Sequence, residues 1–361
     1  MTDVVDAPYP ARRERLRAAI GRQHPGRPLL VTDLANVRYL TGFTGSNAVV
    51  VIGTEESEHL IGTDGRYVQQ VAEQVPDLPS LIDRDTLALV ARSLAPLPVV
   101  VESSMSVLEF AGLRDAGLSV SVSGVAVEEF RKVKDAVEID ALRRACAITA
   151  AAFDALSREI VVGSTELALA RRLEQLFGEL GAEDRAFDSI VAAGAHGALP
   201  HHGPGQRPLQ RGDLLVIDAG ARVDGYHADM TRTYVVGADP EPWQAEIHGL
   251  VATAQAAATA ACLPGADLQE IDAAARSVIA AAGFGERYNH GLGHGVGLAI
   301  HEAPMIGPRS TGTMGANMAI TAEPGIYLAG RGGVRIEDTL VVTDAGPWIL
   351  TEAPRGLGVV G

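Results

Sequence analysis

Asp218 closes the run Asp213-Leu214-Leu215-Val216-Ile217-Asp218, where a lone carboxylate at the end of an apolar strand would be costly to bury. Asp229 follows 11 residues later in Tyr226-His227-Ala228-Asp229-Met230-Thr231-Arg232-Thr233, with the turn signal Asp224-Gly225 between the two acids. Adjacent strands joined by such a turn bring the carboxylates side by side, and like charges that close need a cation or a shared proton. Glutamates repeat the pattern: Glu323 in Ala319-Ile320-Thr321-Ala322-Glu323-Pro324-Gly325 and Glu337 in Gly333-Val334-Arg335-Ile336-Glu337-Asp338-Thr339 each follow strand-like residues. Between the aspartate pair and the glutamate pair lies Asn289-His290-Gly291-Leu292-Gly293-His294-Gly295-Val296-Gly297-Leu298, where glycines on both sides of His294 let the backbone come close and leave the imidazole accessible. Taken singly, each acid is an ordinary turn or salt-bridge residue, and His294 belongs to a plain loop. As a group they form a hard, oxygen-rich donor set with one nitrogen, suited to divalent Mn, Co, Fe or Zn. The set is large enough for two ions about 3.5–4 Å apart with carboxylates bridging them.

The elements that must position this set show in the periodicity. Ile139, Leu142, Cys146, Thr149, Phe153, Leu156 and Ile160 step alternately by three and four, one face of a long amphipathic helix. A second helix is expected from Thr165 through Leu169, Leu173, Leu176 and Leu180, with Gly181 as its stop. Two more, over Pro242–Cys262 and Asp267–Ala282, are separated by Pro264-Gly265. Hairpins are expected over Asp213–Val236 and Ala319–Val342, so the order is helix, helix, hairpin, twice. Before this part, from Arg12 to about Gly124, a helix at Arg12–Arg22, extended stretches at Leu29–Thr32, Ala48–Ile52, Val99–Val101 and Leu118–Val122, and the glycine-punctuated Thr41–Ser46 read as a separate mixed α/β domain. The boundary is placed in Val125–Lys134, giving domains 1–130 and 131–361.

Composition narrows the functions open to this chain. With 361 residues, 47% of them hydrophobic, it suits two folded domains and is too apolar for a disordered chain. A net charge of −15 disfavours nucleic acid and anionic membrane surfaces as partners. Lysine occurs only at Lys132 and Lys134, neither in a phosphate-loop context, and both are expected to be exposed, which argues against Schiff-base chemistry. Cys146 and Cys262 lie in helical stretches and read as buried, inert thiols. Met1–Pro10 lacks the apolar region of a leader, and Leu250–Leu263 is a packed helix too short to span a bilayer, so a cytoplasmic location is expected. His301-Glu302 fails as a zincin motif because no second histidine follows and Pro304 breaks the helix. The glycines at 291, 293, 295 and 297 miss the dinucleotide fingerprint, and no Gly-x-Ser-x-Gly elbow occurs. His24, His59, His227 and His248 read as surface or packing residues.

The order Asp218, Asp229, His294, Glu323, Glu337, with the strings Ile217-Asp218-Ala219-Gly220, Asp229-Met230-Thr231-Arg232-Thr233 and Gly291-Leu292-Gly293-His294-Gly295, resembles the ligand set of the pita-bread metallopeptidases, over half the chain from about Asp135. The stretch Asn36-Val37-Arg38-Tyr39-Leu40-Thr41-Gly42-Phe43 is similar to the domain preceding the catalytic one in proline-specific members and creatinase. The resemblance implies an α/β (α+β) fold: a smaller creatinase-like mixed α/β domain, then a pita-bread catalytic domain with a curved, mainly antiparallel sheet covered by helices. It also implies roles. Leu199-Pro200-His201-His202 resembles the segment with the substrate-side histidine of proline peptidases, and His301, His290 and Arg335 match family positions near the substrate. His196 stands where those peptidases often carry Asn, and no role follows for it.

The activity implied is hydrolysis of Xaa-Pro peptide bonds by a hydroxide held between two divalent ions, Mn²⁺ first, with Co²⁺, Zn²⁺ or Fe²⁺ as alternatives. Asp218 is expected on one ion, His294 and Glu323 on the other, and Asp229 and Glu337 across both, with Glu323 as proton shuttle. His201 and His301 are expected to donate to substrate and oxyanion, and His290 and Arg335 to bind substrate. The first expectation is an Xaa-Pro dipeptidase (prolidase); the alternative is an Xaa-Pro aminopeptidase (aminopeptidase P) acting on longer peptides. Creatinase and non-catalytic relatives are set aside because all five ligand positions are filled and the chain is acidic. The resemblance further implies a homodimer, with Thr41–Ser46 as the first place to look for a contact that shapes the partner's cleft.

Overall fold

The structure, a computed structural model, describes residues 7–361, so the reading of the N-terminus as leaderless lies outside the described residues for Met1–Asp6. The chain divides into two compact units, Met1–Arg131 and Lys132–Gly361.

The first unit is built on one six-stranded sheet. Leu29–Val31 pairs antiparallel with Ala48–Ile52 on one side and parallel with Val99–Val101 on the other. Leu60–Thr63 and Ser80–Ile82 extend one flank, and Val120–Val122 extends the other. Leu30, Val49, Val51, Val99 and Val101 form its core with Val90, Ala91 and Leu113 from helices. The helix expected at Arg12–Arg22 spans Tyr9–Gln23. A further short helix, Leu34–Thr41, starts at Asp33, whose side chain accepts from the Asn36 N–H, and stops at Gly42, whose φ of 77° only glycine adopts without strain.

In the second unit the long helix spans Ala136–Glu159, capped by a reciprocal Asp135–Glu138 box. Its predicted stripe is buried from Leu142 to Ile160, with Ile139 half-buried. Glu166–Glu179 packs against it through Leu169, Leu173, Leu176 and Phe177, and Gly181, at φ 96°, ends that segment. The helices Pro242–Ala261 and Leu268–Ala281 form the equivalent pair. Among the described residues no helix is long and apolar enough to cross a membrane.

The β-structure is mainly antiparallel and splits, by hydrogen bonding, into several sheets. The first expected hairpin is the pairing of Leu214–Ala219 with Met230–Val236, flanked by Ile190–Ala193 and, in parallel, Gly358–Val360. The second is the pairing of Ala319–Ala322 with Asp338–Thr343, flanked by Gly293–Gly295 and Gly346–Ile349. Each carries an inserted smaller hairpin, Ala221–Val223 with Tyr226–His227 and Gly325–Leu328 with Gly332–Arg335. The first helix pair packs mainly on the first set of strands and the second pair mainly on the second, while Leu214 and Val235 also join the second pair's cluster and the long helix also packs on Ala319 and Val341. Cys146 and Cys262 are free and buried, and burial pushes the Cys262 thiol up to about 12, so both are protonated.

Lys134 corrects the expectation of an exposed lysine. It is buried, with its ammonium 2.5 Å from Glu302 Oε1. A partner 168 residues away in the chain supplies the counter-charge that makes the burial affordable.

Candidate metal centre

Strand register brings the acids together. Asp218 lies opposite Thr231 and Ala219 opposite Met230, so Asp229 falls just beyond the ladder beside Gly220. A side chain at Gly220 would run into the Ala228 carbonyl, so only glycine allows the two segments to approach there. In the second hairpin Ala322 lies opposite Asp338, which leaves Glu323 and Glu337 facing each other at the end of the ladder. His294 arrives on Gly293–Gly295, and its N–H donates to Thr321 Oγ1 at 3.2 Å. A Cβ at Gly293 would collide with the Thr321 carbonyl, so the glycines bring this strand close to its neighbour. His294 lies on a strand instead of a loop; the residue is largely buried and lines the pocket.

The donor atoms converge. His294 Nδ1 donates to the Gly295 carbonyl at 3.0 Å, which leaves Nε2 as a lone-pair donor. Nε2 lies 3.6 Å from Asp229 Oδ2 and 3.5 Å from Glu323 Oε1. Asp229, His294 and Glu337 each place a ligand atom within 4.8 Å of the others. Asp218 Oδ1 and Asp229 Oδ1 are buried and receive no hydrogen bond. Buried carboxylate oxygens without donors are expensive unless a cation meets them, so this donor set fits divalent metal. Burial lowers His294 to about 4, which keeps its imidazole in the neutral, ligating form.

A shell of hydrogen bonds holds the acids. Arg335 Nη2 donates to Asp218 Oδ2 at 2.6 Å, its Nε to Thr231 Oγ1 at 3.0 Å, and its Nη1 to Tyr327 Oη at 3.0 Å. Thr231 in turn donates to Glu337 Oε2 at 2.6 Å. His290 Nε2 bonds Tyr327 Oη at 2.9 Å, and burial lowers its pKa to about 4. Behind the ligands the buried Arg232 donates to the Glu337 carbonyl at 2.6 Å and to Asp338 Oδ1 at 2.8 Å.

All nine residues singled out by sequence line one pocket of about 710 Å³: Asp218, Asp229, His294, Glu323, Glu337, His201, His301, His290 and Arg335. His301 stacks edge-on against His294, ring centres 4.4 Å apart. His201 enters from the irregular segment after Gly194–Ala198. Thr231, Tyr327, Thr321 and Arg232 were not anticipated as supports. A signal for two of them existed. Thr231 stands two residues after Asp229 and Thr321 two before Glu323, and residues two apart on a strand share a face.

Without metal the carboxylates destabilise one another. Burial, then Glu337 and Asp218, raises Asp229 well above the usual range; burial, then Glu323 and Asp218, does the same to Glu337. Burial raises Glu323 to about 8 against the opposing pull of Arg335. Raised carboxyl pKa values mean that the folded metal-free protein binds more protons than the unfolded chain. The associated stability is present at low pH and is lost as pH rises through about 8. Metal-free protein is therefore expected to melt several degrees lower at about pH 9 than at about pH 6, each 1 kcal/mol being worth about 2–4 °C at this size. Added Mn²⁺ is expected to remove that dependence, which thermal unfolding across the pH range measures. A metal-free melting temperature that climbs over this window would contradict it.

Residues 140–344 match metallopeptidase family M24, and residues 12–144 match the creatinase/prolidase N-terminal domain. Over 241 residues the chain is 42% identical to an Xaa-Pro dipeptidase of Pyrococcus horikoshii, covering 64% of this chain and 68% of that protein. The fold superposes on an Xaa-Pro dipeptidase from Bacillus anthracis with a TM-score of 0.92, at 33% identity, over 97% of this chain and 99% of that one. An X-Pro aminopeptidase from Thermotoga maritima gives 0.89 at 34% identity, over 96% and 99%.

Proposed function

The chain belongs to metallopeptidase family M24, with a creatinase/prolidase-type N-terminal domain, and from that premise we propose that it is an Xaa-Pro dipeptidase. The observation that carries this reading is the convergence of four acids, His294, His201, His301, His290 and Arg335 on one pocket. The names of its similar proteins support proline specificity.

Asp218 would hold one ion and His294 with Glu323 the other, while Asp229 and Glu337 would serve both. Divalent ions held there supply Lewis acidity and bring the pKa of a bound water from 15.7 to about 7. Glu323 moves protons between the attacking water and the leaving nitrogen. Its side chain is 19% exposed, against 6% for Asp229 and 11% for Asp218, so it is the more open of these acids toward substrate. His201 and His301 donate to the substrate carbonyl as it becomes an oxyanion. His290 and Arg335, tied together through Tyr327, shape the outer end of the substrate site. The leaving nitrogen is that of the proline ring, which carries no N–H in the peptide, so the groups beside the scissile bond need no acceptor for one.

The finer assignments are part of the same proposal: two ions, Mn²⁺ as the native metal, a homodimer in which Thr41–Ser46 borders the partner's cleft, and a cytoplasmic setting. The decisive assay compares Gly-Pro and Ala-Pro with Xaa-Pro-Yaa peptides, in Mn²⁺ and in chelator. Dipeptides are expected to be cleaved, with loss of turnover in chelator and recovery on adding Mn²⁺. Preference for tripeptides would move the assignment to an Xaa-Pro aminopeptidase, and cleavage untouched by chelator would reject metal catalysis.

A further inference from the structure

Glu166 opens the helix Glu166–Glu179 and is fully buried, yet it is outside the metal pocket's lining. Its carboxylate gathers four donors. Oε1 accepts from the Ala193 N–H at 2.9 Å and from His196 Nδ1 at 2.8 Å. Oε2 accepts from His202 Nε2 at 2.9 Å and from the Gly205 N–H at 3.1 Å. The two imidazoles lie against each other with ring centres 4.2 Å apart.

Two histidines and a glutamate have the composition of a metal site, but the distances argue otherwise. Tetrahedral ligands on bonds of about 2.0–2.2 Å sit about 3.3 Å from one another. Here nitrogen and oxygen are at hydrogen-bond separation, and each carboxylate oxygen already has two donors, which fills its lone pairs.

What the four donors share is the segment they clamp. Ala193 ends a strand, Gly205 lies beyond the turn, and between them run Pro200 and His201. After the short helical turn Gly194–Ala198, no strand begins until Leu214, so no ladder holds this stretch. The start of the helix also binds it directly: the Leu167 N–H donates to the Gly205 carbonyl at 2.9 Å and the Glu166 N–H to the Arg207 carbonyl at 3.3 Å. On its other side the Pro200 carbonyl accepts from Arg335 Nη1 at 3.4 Å.

We propose that Glu166, acting through His196 and His202, is the positioning residue that fixes His201 in the substrate pocket. This rests on the reading of His201 as a substrate-side donor. His196 acquires a role here: its Nδ1 supplies a donor that an Asn amide at the same position would also supply. Burial pushes the Glu166 pKa up, but the donors of Ala193, His202, His196 and Gly205 outweigh it and hold the group below its usual range, ionised and accepting.

The test measures Xaa-Pro dipeptide turnover by Mn²⁺-loaded wild type, Glu166→Gln, His201→Ala and the double variant. Glu166→Gln is expected to lower kcat/KM about 10²-fold, the cost of misplacing a catalytic group by about 1 Å, at unchanged metal content. In the His201→Ala background the same change is expected to do nothing further. Because Glu166 is buried and its variant could damage the fold, half-exposed His196 gives a second line: His196→Ala lowers turnover and His196→Asn restores it. A readout independent of activity uses ¹⁵N-histidine spectra of Zn²⁺-loaded protein, with His201 assigned by its loss in His201→Ala; its signal should shift or broaden in Glu166→Gln. An unmoved His201 signal, or an equal loss from Glu166→Gln with and without His201, overturns the proposal. If wild type cleaves no Xaa-Pro peptide, the dipeptidase reading fails, while the spectra still decide the positioning role.

Discussion

Replacing Glu323 by glutamine is expected to lower kcat for an Xaa-Pro dipeptide by about 10³-fold, within the 10²–10⁴ range typical of a positioned acid–base group. Glutamine keeps the length of the side chain and one oxygen toward His294, 3.5 Å away in the wild type. What it removes is the ability to carry a proton. Metal content measured alongside kinetics separates the two duties of this residue. A variant that holds metal as wild type and turns over slowly identifies the proton carrier. Near-normal turnover with full metal would remove Glu323 from that role. Glu323→Asp keeps the chemistry and withdraws the carboxylate by one methylene, and is expected to cost about 10²-fold through geometry alone.

His201→Ala and His301→Ala are each expected to lower kcat about 10²–10³-fold, the usual consequence of losing one donor to a developing oxyanion. An interaction made only in the transition state lowers kcat and kcat/KM together, whereas lost ground-state binding raises KM alone. His301 needs a control that His201 does not. It packs edge-on against His294, the proposed nitrogen ligand, so its removal loosens that imidazole as well. Mn²⁺ affinity should therefore fall modestly in His301→Ala and stay unchanged in His201→Ala. Wild-type kcat in both variants would leave the oxyanion without protein donors and refute the assignment.

Where periodicity was long, the sequence was legible. The helix Ala136–Glu159 was readable from its alternating three- and four-residue steps, because so long a stripe has few competing interpretations. Both hairpins were readable because apolar runs end at turn residues. Shorter pieces were not. Leu34–Thr41 is barely two turns long, too short for a helical stripe to stand out. Gly293–Gly295 has two glycines in three residues and looks like a loop; pairing with Ile320 makes it a strand. The inserted hairpin carrying Tyr327 was hidden within a longer expected one. The five metal candidates were identifiable because burying acids is costly and their order matched a known ligand set. Partners such as Lys134 with Glu302, or Arg232 with Asp338, are set by packing across more than a hundred residues of chain, and no local pattern encodes them.

Arg335 touching Asp218 has one more implication, for the number of cations this pocket accepts. Four ionised carboxylates against one guanidinium leave three negative charges. A single dication leaves one of them uncompensated; a pair overshoots by one. Holding two dications, as proposed, the pocket would reach neutrality only with one anion, the charge of an oxyanionic adduct. Exchanging this arginine for a neutral residue would neutralise the pocket before any anion enters it and erode its preference for the reacting species over the resting peptide.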